Sequence, residues 1–441
     1  MSLVEHRNAI VTPINGQSEF KVSEGQMTIN FEISGAPNEL LDLNSIRLNM
    51  SALFTQNDLN LNNNNFRGTG NYPTEGYINI DERIGLSSLI QSIRIEDSQN
   101  NILEFISNYP HLMASILPQM LNQDDLTTWC GPCYGIKSAG KRDCQMTVCN
   151  QLQNVSLKLY TGLTNSRPIP FSSVGQILRL TITLNNPQSV FYGGSLNNAQ
   201  LIGVNSPVNG TTYALKNVKL NYRVIEMDGP APSGAPFVYR QFSNLQSTIN
   251  SSRFQNMYSP NTSNTIAIIN NFVPSDSLNN YNRNSYFINK LSNGRDAATN
   301  VEELVNIKES QFKINGVNAP LQFPVDEREI TPNYDVLKSL YYMSTITPYN
   351  MIKRSLISSA TEQYGGSYKE GLAVDRRPVA AGTGIRYDNL NSGEGVSFKG
   401  GNNYLQVIDS DLNGLNPNEI MTTVYSFKKI VLSPSGSVIV N

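Results

Sequence analysis

The chain has 441 residues, with 33 Lys+Arg against 35 Asp+Glu, a formal net charge of -2 and only 15% charged residues. Near-neutrality excludes nucleic-acid binding by bulk positive charge. Two histidines, His6 and His111, leave almost no material for a Ser-His-Asp triad or a multi-His metal site. Asn replaces much of the missing charge, at roughly one residue in eight. It supplies turns and amide hydrogen bonds, and a weakly charged surface tolerates close packing against copies of itself.

Met1 to Arg7 has no apolar stretch of the secretory-signal type, and no run of about 18 apolar residues predicts a transmembrane helix. Phe20, Val22, Met27, Ile29, Phe31 and Ile33 frame a first strand. Leu43 to Met50 is a second, with Ile46, Leu48 and Met50 on one face. Asn57 to Asn65 reads as a surface loop. Ser92 to Glu96 and Ile102 to Phe105 flank a polar turn and predict a hairpin, followed by a short helix over Tyr109 to Met120. Ile177 to Leu184 alternates over eight residues, and Tyr213 to Ile225 is a long strand.

Gly229-Pro-Ala-Pro-Ser-Gly-Ala-Pro236 can hold neither a helix nor a central strand. It reads as a linker, 229–236, between an N-terminal portion, 1–228, and a C-terminal portion, 237–441. The second portion repeats the order of the first. Phe312 to Phe323 is strand, turn, strand; Thr331 to Tyr342 is a helix candidate; Met421 to Leu432 is a long closing strand, followed by a Ser-Pro-Ser-Gly turn and Val438-Ile-Val440. Five Asn-Gly pairs, beginning at Asn15, Asn209, Asn293, Asn315 and Asn413, predict tight hairpin turns throughout. The fold class is all-β.

Cys130, Cys133, Cys144 and Cys149 are confined to an insertion at about 121–150. Trp129-Cys-Gly-Pro-Cys133 matches the thioredoxin redox motif in its letters, but no βαβ pattern surrounds it. The spacing C-x2-C-x10-C-x4-C suits one tetrahedral structural zinc ion, two local disulfides, or four reduced thiols. Each reading is structural, because a closed four-sulfur site leaves no open position for catalysis. The basic pairs Lys141-Arg142 and Arg376-Arg377 read as solvated surface. No Gly-rich phosphate loop leads into a helix, so no nucleotide cofactor and no catalytic residue is assigned.

Arg167-Pro-Ile-Pro-Phe171 leading into Ile177 to Leu184, the hairpin from Leu89 to Glu104 and the closing strand Tyr213 to Glu226 together resemble the double-jelly-roll major capsid proteins of tailless icosahedral DNA viruses. The Asn-Pro-x-Ile-Thr-Phe-Phe-Lys opening of large nucleocytoplasmic viruses is missing, which favours the virophage, polinton-like and adenovirus-hexon side of that lineage. The resemblance implies two consecutive jelly-roll sandwiches and no enzymatic activity. It also implies a homotrimer with six-sided outline in an icosahedral virion shell, with neighbouring capsomers, penton and minor capsid proteins as partners. The alternatives are a β-sandwich binding module, such as a viral spike or carbohydrate-binding adhesin, and a glycosidase on a β scaffold.

Overall fold

The computed structural model describes residues 3–55, 77–80, 84–113, 152–197, 200–202, 212–229, 236–275, 278, 291–295, 302–305, 307–314, 316–318, 323–324, 383–386, 397–399, 404–433 and 436–440. Its strands begin with β1 (Leu3–Val11), β2 (Glu19–Lys21), β3 (Thr28–Ser34), β4 (Glu39–Thr55), β5 (Tyr77–Ile80), β6 (Ile90–Asp97) and β7 (Ile102–Ile106). They continue with β8 (Leu152–Lys158), β9 (Ile169–Pro170), β10 (Ile177–Leu184), β11 (Phe191–Asn197), β12 (Gln200–Ile202) and β13 (Thr212–Met227). After residue 235 come β14 (Pro236–Ile249), β15 (Arg253–Tyr258), β16 (Thr265–Pro274), β17 (Leu291–Arg295), β18 (Glu302–Val305) and β19 (Ile307–Ile314). The last are β20 (Val317–Asn318), β21 (Phe323–Pro324), β22 (Thr383–Arg386), β23 (Tyr404–Ser410), β24 (Asn418–Ser433) and β25 (Gly436–Val440).

Eight strands in each half carry one pairing rule. In the first half the outermost strands pair, β1 with β13, then β3 with β10, β4 with β8, and β6 with β7. In the second, β14 pairs β24, β15 pairs β23, β16 pairs β22, and β19 pairs β20. A long antiparallel hairpin that obeys this rule and then rolls up gives two facing sheets. The first sandwich has β1-β13-β4-β8 over β3-β10-β6-β7, and the second has β14-β24-β16-β22 over β15-β23-β19-β20. This is jelly-roll topology, twice in one chain.

Alternation explains why these segments form half-buried strands. In β10, Leu178, Leu180, Ile182 and Leu184 are buried, while Arg179, Thr181 and Thr183 point to the partly exposed face. Leu48, Leu157 and Leu220 are register partners across β4, β8 and β13, so they form one buried row of the first core. The second sandwich differs. Asn270 of β16 donates its side-chain amide to Gln406 of β23, and Thr422 of β24 donates to Asn270 Oδ1 at 2.6 Å. All three are buried, so paired polar groups tie one sheet to the other through the interior.

Of the five expected Asn-Gly hairpins, one is a two-residue turn. Ile314 of β19 pairs directly with Val317 of β20, with Gly316 at φ +81°. Asn15-Gly16 instead joins β1 to β2, which both pair β13; Asn293-Gly294 lies in β17 at a pairing irregularity; Asn413-Gly414 joins two different sheets. Asn209-Gly210 lies outside the described residues. The first helix is described over 109–113 only, and the candidate at Thr331 lies outside. The expected first strand is two strands, β2 and β3, separated by a 3-10 turn at Val22–Glu24. β1 precedes them as a strand with no sequence expectation. It is an edge strand whose side chains from Glu5 to Asn8 are exposed, so it lacks apolar alternation.

Candidate functional site

The most constrained polar chemistry lies where the two sandwiches meet. β14 and β24 outrun their own sandwich, and Phe237, Tyr239 and Ile430 at their overhanging ends are buried in the hydrophobic cluster of the first. The Tyr239 hydroxyl donates to the Leu103 carbonyl at 2.5 Å, and the Lys428 ammonium reaches the carbonyls of Ile102 and Leu103 at 3.4 Å. The Arg167 guanidinium lies 5.2 Å from the Phe237 ring centroid and donates to the Pro236 carbonyl at 3.3 Å.

Glu104 of β7 sits inside this seam and is 1% exposed. Its Oε1 accepts from the Gly162 amide at 2.9 Å and from the Phe242 amide, in the second sandwich, at 2.8 Å; Oε2 accepts from the Leu163 amide at 2.8 Å. Burial raises its pKa above the ordinary carboxylate value, against the opposing pull of those amides and the Thr161 hydroxyl. Gly162 has no room for a side chain, since a Cβ there would stand 2.1 Å from the Arg240 carbonyl oxygen. Beside it, Tyr109 Oη accepts from the Tyr160 amide at 2.9 Å, and burial raises the pKa of both Tyr109 and Tyr239.

The segment after β7 covers the outward face of the second sandwich's main sheet. Asn108 donates to the Met421 sulfur at 3.8 Å and to Gln246 at 3.5 Å, and Asn271 donates to the His111 carbonyl at 3.4 Å. His111 is buried there, which lowers its pKa to about 4 and keeps its imidazole neutral. Glu104, the carboxylate described in the seam, is closed to solvent, and the arrangement around it fixes one sandwich against the other.

Of the residues singled out by sequence, Cys130, Cys133, Cys144 and Cys149 lie outside the described residues. His6 stands exposed on β1, far in sequence from the buried His111. Among the described residues no group of three or more His, Cys, Asp or Glu could hold a metal ion, and no helix is long and apolar enough to cross a membrane. Glu104, Gly162 and Tyr239 were not expected. The one sequence signal was Glu104 beside Leu103 and Ile106 in a strand with little other polarity.

No protein-family model and no curated protein matches the sequence. Solved structures do match in fold. The Faustovirus major capsid protein aligns with a TM-score of 0.60 at 10% identity, over 98% of this chain and 91% of that one. A chain of the PBCV-1 virus capsid aligns at 0.55 and 10% identity, over 100% and 98%. A chain of the Sputnik virophage particle aligns at 0.54 and 9% identity, over 100% and 89%. The fold is the double jelly roll of these capsid chains.

Proposed function

We propose that a chain with this double-jelly-roll fold serves as the structural major capsid protein of a DNA virus. Its role is to form homotrimers with six-sided outline that tile an icosahedral shell. The observation that carries this reading is the twofold occurrence of one strand-pairing rule in a single chain, matched along nearly its whole length by capsid chains. Three copies of two similar sandwiches give six similar blocks around an axis, and closed rings are the usual outcome of homo-oligomerisation. The chain divides into jelly rolls at 1–228 and 237–441, with 229–236 as the link.

On this reading the chain catalyses no reaction, and its partners are itself, neighbouring capsomers, and penton and minor capsid proteins. It resides in the virion. Near-neutral charge suits a shell filled after assembly, because no excess of Lys and Arg is available to condense nucleic acid. Negative-stain microscopy and sedimentation of the purified chain test the proposal. Six-sided trimers, with interfaces above ~2,000 Å² per pair, are expected; a stable monomer at micromolar concentration refutes it.

A further inference from the structure

Backbone pairing between β4 and β8 stops at one rung, Arg47 opposite Lys158. Beyond that rung β4 also leaves its regular pairing with β13. Arg47 stands opposite Asn221 and Asp42 opposite Arg223, so residues 43–46 of β4 oppose the single residue Tyr222. The excess is a bulge, and side-chain bonds pin it. Ser45 Oγ donates to the Asp42 carbonyl at 2.6 Å and accepts from the Arg223 amide at 2.7 Å. A bulge re-aims the side chains it carries. Here it brings Asn44 to the end of β8, where the Lys158 side-chain amine donates to Asn44 Oδ1 at 2.6 Å.

An amine held against a carboxamide is the ground state of an acyl transfer, provided the amine is neutral. Desolvation and a neighbouring cation are the two means by which a lysine becomes a nucleophile. Lys158 has both. Its nitrogen lies 4.8 Å from the centroid of the buried Tyr160 ring. Its pKa falls to about 8, first through desolvation and then through Arg47, against the opposing pull of Asp42. That pull is countered, because Arg223 Nε and Nη2 donate to Asp42 Oδ2 at 3.0 and 2.6 Å. Arg47 has a second use. Its Nη1 is buried without a hydrogen-bond partner, a fixed cation near the carbonyl on which negative charge would develop. Directly opposed like charges, such as Arg47 and Lys158, also destabilise a sheet. Converting the amine to an amide removes that repulsion.

We propose that the folded chain joins Lys158 to Asn44 by an intramolecular isopeptide bond, a covalent staple between β8 and β4. The Lys158 nitrogen attacks Asn44 Cγ, and the Cγ–Nδ2 bond breaks. The hydrogen that the amine gives up leaves with Nδ2 as ammonia. Asn44 is exposed, so water can carry that proton and the ammonia escapes to solvent. No oxidant, metal or further reactant enters. The staple replaces a hydrogen bond with a bond at the point where the β4–β8 ladder would fray first. It closes a loop from residue 44 to residue 158 that contains the whole insertion at about 121–150. The reaction needs one folded chain and no second copy, so it stands apart from the capsid reading.

The test is the intact mass of the denatured full chain after incubation near the amine's pKa of about 8, followed by tryptic mapping. Wild type should weigh about 17 Da less than its sequence, the mass of one ammonia. Trypsin should release one branched peptide holding both Asn44 and Lys158. Lys158→Arg and Asn44→Ala should keep their full mass. Both should melt about 10 °C lower, the shift expected for losing a cross-link that closes a loop of roughly 100 residues. Full sequence mass in wild type overturns the inference, whether or not either variant folds. Asn-Gly pairs can also lose ammonia by cyclising, so a loss that persists in Lys158→Arg overturns it too. Both results leave the capsid reading standing, since sedimentation tests that separately.

Discussion

Replacing Glu104 by Ala removes the acceptor shared by Gly162, Leu163 and Phe242. Three buried amides would then lack partners, at about 1–3 kcal/mol each. Part of that loss is offset, because the carboxylate itself is costly to bury, as its raised pKa records. A net destabilisation of about 3–5 kcal/mol is expected, the range for breaking a buried charged network. Urea unfolding at pH 7 should show a lowered midpoint, with the second sandwich released earlier than in wild type. The pH dependence fixes the sign. A carboxyl whose pKa is raised by folding takes up its proton in the native state first, so its contribution to stability grows as pH falls through the folded pKa toward the ordinary 4.5. Glu104→Gln keeps the shape and removes that slope. It should still cost about 1–3 kcal/mol, since its amide faces the Leu163 N–H. An unchanged midpoint in Glu104→Ala would show that Glu104 does not hold the seam.

Other expectations are equally concrete. Gly162→Ala places a Cβ 2.1 Å from the Arg240 carbonyl, so the sandwiches must part by more than an ångström; hydrogen exchange of the β14 amides should accelerate at least tenfold, and unchanged protection would refute the contact. His111 titrates oppositely to Glu104. Its folded pKa is depressed, so stability is intact above 6.5 and falls as pH drops toward about 4, by about 3 kcal/mol at roughly 1.4 kcal/mol per pH unit; a His111→Gln variant should lose that slope, and a variant that retains it assigns the slope elsewhere. For Cys130, Cys133, Cys144 and Cys149, native mass spectrometry should detect one zinc ion, or thiol titration two disulfides; four free thiols without metal would refute both. Insulin reduction should show no turnover, and turnover abolished by Cys130→Ser would overturn the structural role of that loop.

Strands whose neighbours all belong to one sandwich were legible. β10 and β13 have partners on both sides and one face on a core, so their letters alternate. β1 escaped notice because an edge strand with exposed side chains has no apolar face to announce it. The polar interior of the second sandwich was equally hidden. Asn270, Gln406 and Thr422 look like surface letters, and only the folded pairing shows them satisfied in the dark. Asn was read as surface and turn chemistry, and part of it is core chemistry. The seam could not be read from the chain, since the burial of Glu104 depends on Phe242, 138 positions later. No local window contains that information. The four cysteines are close together in sequence but lie outside the described residues, so their grouping and their state rest on the measurements above.

The overhanging ends of β14 and β24 also set a schedule for synthesis. Phe237, Tyr239 and Ile430 complete the hydrophobic cluster of the first sandwich, although its own last strand ends at Met227. From Met227 to Ile430 is roughly 200 residues, or about 10–40 s of elongation. Over that interval a nascent first sandwich carries an uncovered apolar patch beside a Glu104 that lacks one of its three amide donors, that of Phe242. A chain stopped at residue 229 should therefore be recovered aggregated or bound to chaperones, and a soluble, cooperatively melting fragment would contradict this. The first half of the chain is made first and finished last.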